Sequence, residues 1–131
     1  MERGKFQHIE RAKQLISFQG LNIGKITPTD IDGVIEYKDK AYIFIEVKYK
    51  NKELPFGQQL ALERLVDDTS ANKKSIAIVC EHNIGDTDTQ IKMAACKVRE
   101  LYLSDEKVWR RPKDNITVEQ MIDLFIGMIG V

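Results

Sequence analysis

A mixed α/β sheet with helices on both faces is the architecture this sequence predicts, and three observations predict it. Residues 41–49, AYIFIEVKY, begin as an apolar run without alternation, which marks a central strand covered on each side. Residues 75–82, SIAIVCEH, repeat that pattern. Residues 56–69 and 117–129 instead carry apolar side chains at helical spacing. Strands and helices interleaved in this way pack as layers around one sheet.

The elements follow in order. Residues 5–19 read as a helix, with Phe6, Ile9, Ala12, Leu15 and Ile16 as its apolar stripe and Gly20 as its stop. Residues 21–26 read as a short edge strand, interrupted by Pro28. Gly33–Tyr37 is the next strand, 38–40 the polar turn, and Ala41–Tyr49 the central strand. A polar loop over 50–55 leads into the helix 56–69, and the strand 75–82 follows. After a loop at 84–90, residues 91–103 fit helix or strand, with strand favoured for 94–102. Residues 104–115 read as polar and irregular around Trp109. Thr117 and Gln120 form a capping-box pattern before a last helix whose stripe is Val118, Ile122, Phe125, Ile126 and Ile129, closed by Gly130.

Composition limits the functional classes. The 131 residues suit one domain spanning 1–131. Twenty basic and twenty acidic side chains give a net charge of zero, so any nucleic-acid contact must come from a local patch. Cys80 and Cys96 lie in apolar stretches without metal-ligand spacing and read as free, buried thiols of a reducing compartment. The charged start MERGKFQHIE is no signal peptide, and no apolar run reaches the ~18 residues of a membrane span. A soluble, cytoplasmic protein with no membrane partner is expected.

The chemistry is expected between the strands 33–37 and 41–49. A three-residue turn at 38–40 pairs Tyr37 with Ala41 and, continued outward, sets Asp32 opposite Glu46 and Asp30 opposite Lys48. Directly opposed residues share a face with Cβ atoms ~5 Å apart, so two carboxylates there repel unless a cation lies between them. Glu46 and Lys48, two apart on one strand, project from that same face. Asp32 and Glu46 are therefore candidate metal ligands, with the main-chain carbonyl of Val47 as a third, and the all-oxygen set suits Mg²⁺ or Mn²⁺. A lysine beside such a metal can orient or help deprotonate water and offset charge on a phosphorane-like transition state. The bland alternative is chance Glu-x-Lys with a cross-strand Asp30–Lys48 ion pair.

These residues resemble the PD-(D/E)XK, or restriction-endonuclease-like, superfamily, whose pattern is an Asp at one strand start and (Asp/Glu)-x-Lys on the next. Here Pro28-Thr29-Asp30-Ile31-Asp32-Gly33 precedes Ile45-Glu46-Val47-Lys48, and the resemblance covers roughly residues 5–82. In layout it is similar to small archaeal Holliday-junction resolvases and short phage-encoded nucleases. The resemblance implies an αβββαβ core, a mixed central sheet flanked by helices, with an extra C-terminal strand and helix. It implies a Mg²⁺-dependent endonuclease that hydrolyses DNA; a single small domain has little room for a sequence-reading module, which leaves structure-specific cutting of branched or junction DNA as one option. The family's Pro-Asp pair is usually adjacent, and here it is not; Asp32 is the chosen motif aspartate and Asp30 the second choice.

Further candidates are weaker. Gln58 lies on the stripe of Leu62, Leu65, Val66 and Thr69, either near the metal, as in several family branches, or bonded to a loop; Leu62 stands where some branches have Tyr. The family resemblance implies a metal-assisting acid on the first helix, for which Glu10 is the candidate. His8 and His82 read as structural. Lys48, Lys50 and Lys52, Lys73-Lys74, and Arg110-Arg111-Pro112-Lys113 could track phosphates, and Trp109 could stack on a base or act as an anchor. The apolar last helix suggests a homodimer, and the modest basic patch a recruiting protein partner. A catalytically inactive nuclease-fold module that binds nucleic acid or an assembly partner is the second reading.

Overall fold

The computed structural model describes residues 14–130. Its elements are β1 (Gly33–Tyr37), β2 (Ala41–Tyr49), α1 (Phe56–Thr69), β3 (Lys74–His82), a 3₁₀ turn at Met93–Ala95, β4 (Lys97–Leu103), β5 (Val108–Arg110) and α2 (Val118–Ile129). The five strands lie in sequence order in one mixed sheet. β2 and β3 are parallel, joined by α1 as a crossover, and the remaining neighbours are antiparallel. The chain is thus an α/β protein, as its patterning predicts.

Alternation sorts β2 onto two faces. Phe44 turns toward α1 and packs with Leu62, Val66, Ala77 and Tyr102. Ile43 and Ile45 turn the other way and join Ile76, Ile78, Val98, Val118 and Phe125 beneath α2. Helices therefore cover both faces, which is why β2 and β3 read as continuous apolar runs. Cys80 and Cys96 lie unbridged within the α2-side core. The capping box of α2 is formed: Thr117 Oγ1 accepts from the Gln120 N–H at 3.2 Å, and Gln120 Oε1 accepts from the Thr117 N–H at 2.9 Å.

The hairpin register follows the expected rule. Tyr37 pairs with Ala41, Glu36 with Tyr42 and Gly33 with Ile45. Lys38 and Asp39 take positive φ, and the Lys40 N–H closes the turn on the Tyr37 carbonyl at 2.8 Å. At the strand's other end a Cβ on Gly33 would stand 3.3 Å from the tip of the Met93 side chain, which packs against this position.

Three expectations need correction. The predicted helix 5–19 falls mostly on residues outside the described ones, but its described end, 14–18, is irregular, with Leu15 and Ile16 almost fully exposed. Helical propensity alone does not hold a short segment that buries no face. Residues 21–26 are not an edge strand. Gly24 at φ 62° turns the chain back so that Ile23 and Ile26 bond only each other. Among the described residues two strands, not three, therefore precede α1. Finally, the span read as irregular at 104–115 contains β5, a fifth strand beyond the turn at Lys107. Trp109 anchors it: its ring lies 5.3 Å from Tyr102, and Nε1 donates to Glu63 Oε2 at 2.7 Å.

Candidate metal-binding site

β1 and β2 diverge at their open end, and the candidate residues meet there. Asp32 stands one residue before β1, where backbone pairing has stopped. Its Oδ2 accepts the Val47 N–H at 2.7 Å, taking the place of the next backbone partner. The N–H and carbonyl of one strand residue point the same way, so the Val47 carbonyl faces this same gap. Glu46, on the α1 side of β2, is buried at 4 % exposure. Lys48 lies two residues on, its Nζ 3.5 Å from Glu46 Oε1.

Among the described residues two buried side-chain atoms lack a hydrogen-bond partner, Arg99 Nη2 and one oxygen of the Glu46 carboxyl. Its Oε2 is fully enclosed and has no hydrogen-bond partner. Burial first, and the Asp32 carboxylate second, push its pKa up to about 7, against a smaller opposing pull from Gln58 and Lys48. Folding has placed a carboxyl where Lys48 and Gln58 only partly compensate its charged form, an arrangement enriched at functional positions.

Gln58 enters from the first turn of α1. Its Nε2 donates to the Asp30 carbonyl at 2.9 Å, and the side chain also favours the charged form of Glu46. It therefore ties down the loop before β1, as the loop-bonding reading expects. Gln59 instead bonds Glu63 along the helix at 3.0 Å. Leu62, at the position where some family branches have Tyr, is core. Asp30 enters through its main-chain carbonyl and borders a groove of about 580 Å³ with Gln58 and Arg64. Lys48 pairs with Glu46, its neighbour two residues back, and not with Asp30. Glu10 and His8 lie outside the described residues.

Two neighbours were not singled out as a pair. Glu81 lies beside Lys48 in the parallel register. Arg99 reaches it from β4, with Nη2 3.7 Å from Glu81 Oε2 and Nη1 donating to the Lys52 carbonyl at 2.5 Å. The register of β3 and β4 shifts between Val79 and Cys80, which leaves Arg99 as the extra residue of a bulge. Alternation alone could not have assigned its face; only the position of Glu81 at the strand end was a signal.

Other expected cations are already paired. Lys73 bonds Asp39 at 2.5 Å, and Arg110 pairs with Glu106. These two clusters thus offer less free positive charge than their sequence suggests. His82 is structural on one side: Nδ1 accepts the Ile84 N–H at 3.1 Å. Among the described residues no group of three or more His, Cys, Asp or Glu side chains is placed to hold a metal. The available donors are two carboxylates and a backbone carbonyl. Comparisons with family models, with curated proteins and with solved structures find no match.

Proposed function

We propose that the chain is a Mg²⁺-dependent nuclease of the PD-(D/E)XK type that hydrolyses DNA phosphodiester bonds, with branched or junction DNA as its substrate. The observation that carries this reading is the enclosed, unpartnered Glu46 Oε2, faced by Asp32 and followed by Lys48. An ionised carboxylate buried without compensation costs several kcal/mol, and a divalent cation between Asp32 and Glu46 removes that cost. In this reading β1, β2, α1 and β3 correspond to the last four of the six elements of a restriction-endonuclease-like core.

The donor chemistry fits a small hard cation. Asp32, Glu46 and the Val47 carbonyl are oxygen donors, as Mg²⁺ and Mn²⁺ prefer. When bound, such an ion supplies an acidified water and neutralises charge on the phosphoryl oxygens. The chain's own groups do the rest. Lys48, held beside Glu46, presents an ammonium to the charge that grows on the attacked phosphate. Gln58 fixes the 28–32 loop and thereby the position of Asp32. The Val47 N–H orients the Asp32 carboxylate through its 2.7 Å bond.

The test is cleavage of single-stranded, duplex and four-way-junction DNA with Mg²⁺, Mn²⁺ or EDTA, beside Glu46→Ala and Lys48→Ala. Metal-dependent cutting is expected, with Lys48→Ala slower by about 10²–10³-fold, the usual loss for a preorganised charge-stabilising donor. Glu46→Ala should abolish it. No cutting by the wild type under any condition, with no Mn²⁺ uptake by calorimetry, would overturn the reading. Salt-dependent DNA binding in that case would select the inactive nuclease-fold module.

A further inference from the structure

We propose that the cleft at the carboxyl ends of β2 and β3 binds an unpaired nucleic-acid strand, seating one or two nucleotides. For what the strand does there, the proposal rests on the nuclease reading above. The cleft has a volume of about 500 Å³ and lies between the ends of these strands and the 83–97 segment. That is the size of site that encloses a small organic group, for which roughly 300–1,000 Å³ is typical. A base held in a double helix is not free to enter such a concavity, whereas an unstacked one is.

Charge and shape agree on the occupant. Lys50, Lys92 and Lys97 line the cleft, in a chain whose net charge is zero. Glu81 is the one acidic residue in the lining, and it is already engaged by Arg99. Asp86 and Asp88, on the covering loop, lie outside the lining; Asp86 is occupied by the Asp88 N–H and the Thr89 hydroxyl. The lining holds one ring, His82, backed by Tyr49. The His82 ring is fixed by the Ile84 N–H, and the half-exposed Tyr49 ring packs edge-on against it at 5.5 Å. Lysines around an aromatic ring are what single-strand binding uses: phosphates take the cations, and bases stack.

The cleft adjoins the end of β2: the Lys50 N–H bonds the His82 carbonyl at 2.8 Å, and Glu81, in the lining, lies beside Lys48 in the register. Its occupant is an unstacked nucleotide. This selects substrates with an unpaired segment, such as flaps, frayed ends and open junction centres, over blunt duplex.

The test uses the full chain in EDTA, where no cutting occurs, and a fluorescein-labelled twelve-residue oligothymidine read by anisotropy. Three lysine contacts predict that log K falls with log salt with a slope of about −2, since each contact on a single strand contributes roughly 0.7. The exposed pair Lys92→Gln/Lys97→Gln should reduce the slope to about −0.7 and weaken binding roughly ten- to thirty-fold at 0.1 M salt. A hairpin duplex of equal length should bind more weakly than the oligothymidine. Equal binding by wild type and variant, or tighter binding of the hairpin, overturns the proposal. The two proposals fail separately. Cleavage indifferent to Lys92 and Lys97, with unchanged oligothymidine binding, removes the cleft and spares the nuclease. Cleft-dependent binding without metal-dependent cutting does the reverse.

Discussion

Glu46 carries a cost in the metal-free chain that its neighbours only partly offset. Its pKa is raised from the ordinary carboxylate value to about 7, so the folded state holds a proton that the unfolded chain releases near 4.5. The corresponding stability is fully present below pH 4.5 and is lost as pH rises through about 7. At 1.36 kcal/mol per pKa unit this amounts to about 3 kcal/mol at most. Urea unfolding in EDTA between pH 4.5 and 8 should show that decline, and Glu46→Gln should flatten it. Excess Mn²⁺ should flatten it too, because a cation favours the ionised form. Asp32 acts from the other side. Asp32→Asn keeps an acceptor for the Val47 N–H and removes the charge that raises Glu46. The variant should be as stable as wild type or more so in EDTA, yet bind Mn²⁺ far more weakly in calorimetry. Loss of stability in EDTA would show the aspartate to be structural.

At the scale of elements, each helix has a distinct task. α2 closes one face of the sheet through Phe125 and Val118, both essentially inaccessible to solvent. Phe125→Ala should cost about 3–5 kcal/mol in denaturant unfolding, the range for a fully buried aromatic. Thr117→Ala, which removes half of the capping box, should cost about 1 kcal/mol. Neither change touches the candidate site, so metal affinity at a temperature where the variant is folded should be unchanged. α1 covers the other face and brings Gln58 to the site from its first turn. Gln58→Ala should therefore weaken Mn²⁺ binding with little change in stability, since the bond it loses is to an exposed loop carbonyl.

Across the whole molecule, the apolar surface not used by the fold is distributed unevenly. Leu124 and Met128, at i and i+4 on the outer side of α2, are 59 % and 62 % exposed. This is the face a two-fold dimer would use. Sedimentation velocity should find twice the chain mass for the wild type and the single mass for Leu124→Lys/Met128→Glu; identical masses would remove the dimer. Among the described residues no helix is long and apolar enough to cross a membrane.

The sequence by itself determined the α/β class, the hairpin register and the capped last helix. Each depends on local rules: alternation, turn length and side-chain bonding within one turn. The convergence of Asp32 with Glu46 was legible for the same reason, because a three-residue turn dictates which positions oppose each other. What lay beyond it depended on contacts between distant segments. Residues 14–26 carry several large apolar side chains, yet Leu15, Ile16, Leu21, Ile23 and Ile26 stay exposed because their segment packs onto neither core. β5 was missed because three residues carry too little periodicity; pairing with β4 and the Trp109–Glu63 bond define it. Arg99 reached Glu81 through a bulge, which no alternation rule foresees. The enclosure of Glu46 Oε2 was likewise a tertiary decision, since burial of one oxygen depends on how α1, β2 and the 28–32 loop pack together.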